Sequence, residues 1–504
     1  RKFLPIRPDP TPPLRTRGFK MAAPKTFSNF IGGSWIEGED VIANINPSNT
    51  DEIIGFYAKA SKSQTCAAIE AAVAAFPKWS RSSPQNRYDA LSKISNEILA
   101  RKDELGLLLA REEGKTLPEA TGEVVRAGQI FAFFAGEALR ITGDQVASVR
   151  PDVDVMVTRE PIGAVALITP WNFPIAIPAW KIAPALCFGN TVVFKPAELV
   201  PGSAQALAEI ISRSGLPEGA FNLVVGAGSS VGQTLVEHPD VAAISFTGSV
   251  GVGRKIAQTC VSGQTMKKLQ LEMGGKNPLI VLDDADINIA VEAALNGSFY
   301  STGQRCTASS RLIVTAEIHD AFVSELSARL EALVIDNAIK PGVHIGPVVD
   351  ERQLQQDLDY ISLGQTEGAI LKSGGRLLNR STPGHFLQPA LFANATNDMR
   401  ICQEEIFGPV AAVVKVKDYD EALAVANDTS FGLAAGICTS SLKYASDFRR
   451  NSEAGLVMVN LPTAGVDYHV PFGGTKSSSY GPREQGAYAR EFYTTVKTSY
   501  VSVG

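Results

Sequence analysis

A chain of 504 residues, 45% hydrophobic and 20% charged, is long enough for two or three domains and too apolar to remain unfolded. A formal net charge of −5 excludes a nucleic-acid binder that works through a broad basic field. The six cysteines form no CxxC and the five histidines no HExxH, so no zinc ribbon, thioredoxin-type pair or metalloprotease site is visible, and a reduced, intracellular, metal-free protein is expected.

Residues 1–20 hold Arg1, Lys2, Arg7, Arg15, Arg17 and Lys20 against the single acid Asp9, with five prolines and no serine, and Met21 follows. The stretch reads as a leader added in cloning, with a transit peptide as the weaker alternative, and it is set apart from the fold. Helical periodicity covers 66–79, 86–113 and 117–140. Strands at 163–168, 191–194, 222–225, 242–246 and 268–272 then alternate with helices at 177–188, 203–214, 231–237 and 250–260. That rhythm predicts a mainly parallel sheet covered by helices. A second rhythm follows Gly274-Gly275, with strands at 279–281, 310–314, 410–416 and 435–438 and helices at 287–299, 319–332, 419–426 and 442–451. The segment 388–409 reads as loop-rich, 472–482 as a glycine- and serine-rich loop, and 491–503 as a strand docked elsewhere. The uncharged stretch 161–180 has the length of a membrane span. Its prolines Pro161, Pro170, Pro174 and Pro178 would strand backbone groups in lipid, so a buried strand, a turn and a helix start are expected there instead.

Four segments carry chemistry. Cys306, in Gly303-Gln304-Arg305-Cys306, follows a glycine and a cation in a polar segment. Positive surroundings favour the thiolate and make it a candidate nucleophile; a buried structural thiol is the bland alternative. Glu272 ends an apolar strand ahead of two glycines, where ligands bind in open α/β sheets, and partial desolvation there would raise its pKa toward that of a general base. Pro170-Trp171-Asn172-Phe173-Pro174 fixes Asn172 between two prolines, which suits an oxyanion donor, or else a simple Asx turn. Finally, Lys195-Pro196-Ala197-Glu198 and Phe246-Thr247-Gly248-Ser249 each follow a predicted strand. Glu198 could accept from a ribose diol, and Gly248-Ser249 opens a helix whose N–H groups could meet a pyrophosphate. The glycines Gly248, Gly251 and Gly253 do not spell G-x-G-x-x-G.

Together with Leu271-Glu272-Met273-Gly274-Gly275-Lys276 and Glu404-Glu405-Ile406-Phe407-Gly408-Pro409, these segments resemble, in order and spacing, the NAD(P)-dependent aldehyde dehydrogenase superfamily across 27–503. The resemblance implies an α/β fold: a Rossmann-like dinucleotide domain (27–146 and 160–273), an α/β catalytic domain (274–471) and a small β oligomerisation flap (147–159 and 486–504). It implies Cys306 as nucleophile, Asn172 and the Cys306 N–H as oxyanion donors, Glu272 as the base for water and Lys181 as a proton relay. It further implies that NAD, with NADP possible, is held by Thr169, Pro170, Trp171, Lys195, Ala197, Glu198, Gly248, Ser249, Glu405 and Phe407, and that Phe173 meets the substrate. A homodimer or homotetramer, in the cytoplasm, acting on a small aldehyde, follows from the same likeness.

The segments Pro462-Thr463-Ala464-Gly465-Val466-Asp467-Tyr468-His469 and Ser477 to Gly486 resemble 2-oxoglutarate semialdehyde (2,5-dioxopentanoate) dehydrogenases. Two arginines suit an acidic substrate independently of that likeness. Arg305 adjoins the nucleophile, and Arg126 lies on the Ile130–Phe134 face of an apolar helix, where a charge is costly unless it is paired or faces a wet cleft. The alternatives are a broad-specificity enzyme, a succinate or glutarate semialdehyde dehydrogenase, a non-phosphorylating dehydrogenase of a phosphorylated aldehyde, and a catalytically silent binding relative. Succinic semialdehyde dehydrogenases place an arginine where Trp180 stands here, which weighs against that substrate.

Overall fold

The computed structural model describes residues 24–502, so the leader expected at 1–20 lies outside the described residues. Two open sheets dominate. The first runs Ser479–Tyr480, Lys268–Glu272, Val241–Thr247, Ala164–Ile168, Thr191–Lys195, Phe221–Leu223, Asn29–Ile31 and Ser34–Ile36. From Lys268–Glu272 to Phe221–Leu223 its pairs are parallel, and the pairs that add Ser479–Tyr480, Asn29–Ile31 and Ser34–Ile36 are antiparallel. Its central strands, such as Ala164–Ile168, are buried along their whole length, as expected when helices cover both faces. The second sheet runs Ile370–Ser373, Ala390–Ala395, Val410–Val416, Arg311–Thr315, Pro278–Val281, Ala434–Cys438 and Leu456–Val459, parallel apart from its first pair. A third sheet pairs Thr494–Ser502 with Val153–Pro161 and that strand with Asp144–Ala147, all antiparallel.

The stretch 161–180 folds as expected into a buried strand, a turn and the first part of the helix Ala176–Cys187. Among the described residues no helix is long and apolar enough to cross a membrane. Three expectations need correction. The single helix at 86–113 is two, Pro84–Ala100 and Lys102–Glu113, because Arg101 leaves helical geometry (φ −103°, ψ 15°). The loop-rich 388–409 contains the strand Ala390–Ala395, buried against Val410–Val416, and a short helix Arg400–Gln403. The last strand begins only at Thr494, after the short helix Arg490–Tyr493. Beyond these, the predicted elements omit the N-terminal strands Asp40–Asn46 and Asn49–Lys59, the strand Val153–Pro161 and the helix Glu351–Thr366.

These layers bring the carboxyl ends of the first sheet against the loops that precede the second. Within those loops the chain packs closely at Gly303, where a Cβ would lie 2.2 Å from the Gly408 carbonyl oxygen. Its φ of +66°, preceded by Ser301 and Thr302 at +51° and +57°, makes three consecutive left-handed residues, the β-branched Thr302 being the most strained of them. Three residues later the turn delivers Cys306.

Candidate active site

Cys306 lies where two cavities meet, and it lines both. The first, of about 500 Å³, is walled by Pro170, Trp171, Asn172, Thr247, Gly248, Ser249, Gly274, Glu405 and Phe407. The second, of about 530 Å³, is walled by Lys115, Glu123, Arg126, Phe173, Trp180, Arg305, Ala464 and Phe472.

The first cavity has the donor set a dinucleotide needs. The helix Val250–Ser262 starts at Ser249 with no side-chain cap, so its first N–H groups are left for a ligand. The hydroxyls of Thr169 and Thr247 are buried and unpartnered. Glu405 accepts from the Gly275 N–H at 2.9 Å, and burial pushes its carboxyl up to about 7. A Cβ on Gly274 would sit 2.1 Å from Glu405 Oε2 and would push that carboxylate from its place. Phe407 adopts φ +65° and meets Trp171 edge-on at 5.3 Å. Lys195, Ala197 and Glu198 follow the neighbouring strand Thr191–Lys195; Leu199 is the member of that segment on the cavity wall. The Lys195 amine is buried and pulled down to about 8, and it donates to the Pro196 carbonyl at 2.9 Å.

The nucleophile's electrostatics differ from the expectation. Burial, then the carboxylates of Glu405 and Glu272, push the Cys306 thiol up to about 12, with the N–H groups of Cys306 and Thr307 opposing. Arg305 does not supply the positive field assigned to it. Its guanidinium is engaged by Glu119 at 3.1 Å, Ser301 Oγ at 2.9 Å and the Asn296 carbonyl at 3.2 Å. It borders the second cavity as one half of an ion pair, so the reading of Arg305 as a free anion site is corrected. Arg126 behaves otherwise. It borders the same cavity, its Nε is buried without a partner, and Glu123, one turn earlier on its helix, is already engaged by Lys115. Phe173 lies beside it on the wall, and Trp180 stacks on Phe472 at 5.3 Å.

Asn172 is 2% exposed, and its Nδ2 donates to the Gln304 carbonyl at 3.0 Å, two residues before Cys306. Glu272 accepts from Ser479 Oγ at 2.5 Å, and its pKa is raised well above the ordinary carboxylate range, by burial first and by Glu484 second. Its carboxylate is not on the wall of either cavity. Lys181 is fully buried; it donates to Ser245 Oγ at 2.8 Å and pairs with Glu484.

Sequence reasoning missed Glu484, Glu119, Lys115 and Glu123. Lys115 and Glu123 did carry a signal, being charges flanking an apolar helical run like Arg126 itself. Glu484 carried none, since it sits in a glycine-proline loop 303 residues from the lysine it meets.

The sequence profile of the aldehyde dehydrogenase family matches residues 35–499. Similar proteins include the alpha-ketoglutaric semialdehyde dehydrogenase of Bacillus subtilis (strain 168), 44% identical over 480 residues covering 94% of this chain and 98% of that one. The 2,5-dioxopentanoate dehydrogenase of Saccharolobus solfataricus is 42% identical over 93% of this chain and 98% of its own. Among solved structures, betaine aldehyde dehydrogenase from Staphylococcus aureus in complex with NAD+ superposes with a TM-score of 0.92 at 33% identity, covering 95% of each chain.

Proposed function

Given that the chain belongs to the aldehyde dehydrogenase family, we propose that it oxidises 2-oxoglutarate semialdehyde to 2-oxoglutarate with NAD, through a thioester on Cys306. The observation that carries the reading is that Cys306 stands between a cavity with dinucleotide donors and one bordered by Arg126, whose buried Nε has no partner.

Cys306 gives its thiol proton to solvent, and the thiolate adds to the aldehyde carbonyl, forming a carbon–sulfur bond and an oxyanion. Asn172 Nδ2 and the Cys306 N–H stabilise that oxyanion, a role in which one donor typically contributes about 10²–10³ in rate. Thr247, Gly248, Ser249 and Glu405 line the cavity that would hold the dinucleotide, and Lys195 and Glu198, off its wall, would meet the adenosine ribose. When bound, the oxidised dinucleotide supplies a positively charged ring and the two-electron acceptor of the reaction. The oxidised adduct is a thioester on Sγ. Glu272 then turns from Ser479 toward it and takes a proton from water, whose oxygen displaces the thiol and releases the acid. Lys181 and Glu484 pass that proton on.

Arg126 binds the remote carboxylate. The same charge disfavours a quaternary ammonium aldehyde, which would meet it with like sign. Glu198 favours NAD by repelling a 2′-phosphate. The domain division given above is supported by the two large sheets, the first built mainly from strands of 27–273 and the second from strands of 274–471. The edge strands of the third sheet expose Val146, Val496, Tyr500 and Val501, which suits a dimer or tetramer built through that flap. Six unpaired thiols suit a reducing, cytoplasmic setting.

The test is a steady-state panel of 2-oxoglutarate, succinate and glutarate semialdehydes, betaine aldehyde and an uncharged aldehyde of similar length, each with NAD and NADP. The highest kcat/KM is expected for 2-oxoglutarate semialdehyde with NAD. A best substrate without an acid group, or equal use of NADP, overturns the corresponding half of the reading.

A further inference from the structure

Between the two cavities lies a short turn, residues 172–176, which carries Asn172 into the helix Ala176–Cys187. That helix begins at Ile175 without a side-chain cap of its own. Its free N–H groups are met from another helix instead. Glu123 Oε1 accepts from the Ile175 and Ala176 N–H groups, both at 3.1 Å. The other oxygen of the same carboxylate accepts from Lys115 Nζ at 2.7 Å. Lys115 in turn donates to the main-chain carbonyl of Asn172 at 2.8 Å, and its ammonium lies 3.9 Å from the centre of the Phe173 ring. Both charged side chains are 2% exposed, on the wall of the second cavity. Against the pull of burial, Glu113 and Glu123 hold the Lys115 ammonium above its ordinary value, so it stays charged. The turn is thus gripped at its carbonyl by a cation and at its N–H groups by an anion, and the two are bonded to each other.

We propose that Lys115 and Glu123 are positioning residues for the oxyanion site, holding the Asn172 backbone so that its amide stays aimed at the Cys306 loop. This rests on the reading of Asn172 as an oxyanion donor. A charge pair that served only to fill the helix junction could bond any carbonyl on the turn. This pair bonds the carbonyl of the residue whose side chain reaches the Gln304 carbonyl at 3.0 Å. Buried charge-assisted hydrogen bonds of this kind also fix direction more sharply than apolar packing does.

The test is a double-mutant cycle on kcat, with the full-length enzyme, 2-oxoglutarate semialdehyde and NAD. Lys115→Met, of similar length without charge, should lower kcat roughly 10- to 100-fold, the equivalent of one or two charge-assisted bonds. The Kd for NAD, read from quenching of protein fluorescence, should stay within about two-fold, since the pair borders the other cavity. In the Asn172→Ala background the same substitution should cost no more than about two-fold further, because the group it aims is gone. If the two losses multiply, Lys115 acts elsewhere and the proposal fails; it fails equally if Lys115→Met alone leaves kcat within about two-fold of the parent. Should Lys115→Met not accumulate as folded protein, Glu123→Gln runs the same cycle with the same expected non-additivity. Failure of the underlying reading has its own signature: Asn172→Ala alone would then leave kcat nearly unchanged.

Discussion

The two cavities that meet at Cys306 are nearly equal in volume, about 500 and 530 Å³, yet they are built on opposite principles. The dinucleotide-side cavity is made of strand ends and the turns that follow them. Its polar groups are main-chain N–H groups, hydroxyls, the amides of Asn172, Gln353 and Gln356, the Arg352 guanidinium and the carboxylates of Asp350 and Glu405, and the Thr247 hydroxyl is left without a protein partner. The substrate-side cavity is made of helix faces and loops remote from one another in the chain. Its charges are almost all matched, Lys115 with Glu123 and Arg305 with Glu119, and Arg126 stands out as the one whose buried Nε has no partner. A universal ligand can be met by backbone, which any sequence supplies. On the reading proposed above, the substrate is met by side chains instead, with Arg126 left to meet its acid group.

The contrast can be broken first at the shared residue. Cys306→Ala should abolish oxidation on both sides, by several orders of magnitude, while NAD still binds; residual turnover above ~1% of the parent would mean that the cysteine is not the nucleophile. Glu272→Gln comes next. It should slow the steady state roughly 100-fold or more yet leave a stoichiometric burst of reduced cofactor, because thioester forms before water is needed. Equal slowing of burst and steady state would detach Glu272 from the water step. Raising its pKa also fixes a sign: the base is available only on the alkaline side of that pKa, so parent turnover should climb with pH while the Gln variant stays flat.

A third measurement sharpens the contrast through the thiol alone. With its pKa near 12, Cys306 is neutral at pH 7, and alkylation of the dinucleotide-free enzyme should accelerate about tenfold per pH unit up to pH 10. A rate already at its plateau by pH 8 would mean that Arg305 or another cation acts on the sulfur after all. The smallest effect is the most selective one. Arg126→Met should lower kcat/KM for the acid substrate roughly 10- to 150-fold and spare an uncharged aldehyde. Equal losses for both would make Arg126 a support for its helix.

What the sequence disclosed follows the same division. On the first cavity, Gly248 and Ser249 were legible because they directly follow the strand Val241–Thr247, whereas Glu405 lies ten residues past the strand Ala390–Ala395. Arg126 was legible because a charge on an apolar helical face is anomalous wherever its partners are. Arg305 was misread because its partner Glu119 lies 186 residues away, and no local pattern distinguishes a free guanidinium from a neutralised one. The pairing of Lys181 with Glu484 was hidden for the same reason. Among the elements, the break at Arg101 has no glycine or proline to announce it. The helix Glu351–Thr366 escaped notice because it buries only Asp357, Ile361 and Gly364, too few for an apolar stripe.

The third sheet has a consequence for how the molecule comes into being. Strand Val153–Pro161 pairs along its whole length with Thr494–Ser502, and Arg159 bonds Glu491 across 332 residues. At about 5–20 residues per second, a ribosome needs on the order of tens of seconds to supply that partner. For that interval the inner strand of the sheet is an edge carrying Val155 and Met156, while most strands of both large sheets are still being synthesised. The last strand therefore acts as a closing stroke: until it arrives, the nascent chain offers a sticky edge to any neighbour emerging beside it, and productive assembly depends on that edge being shielded or short-lived.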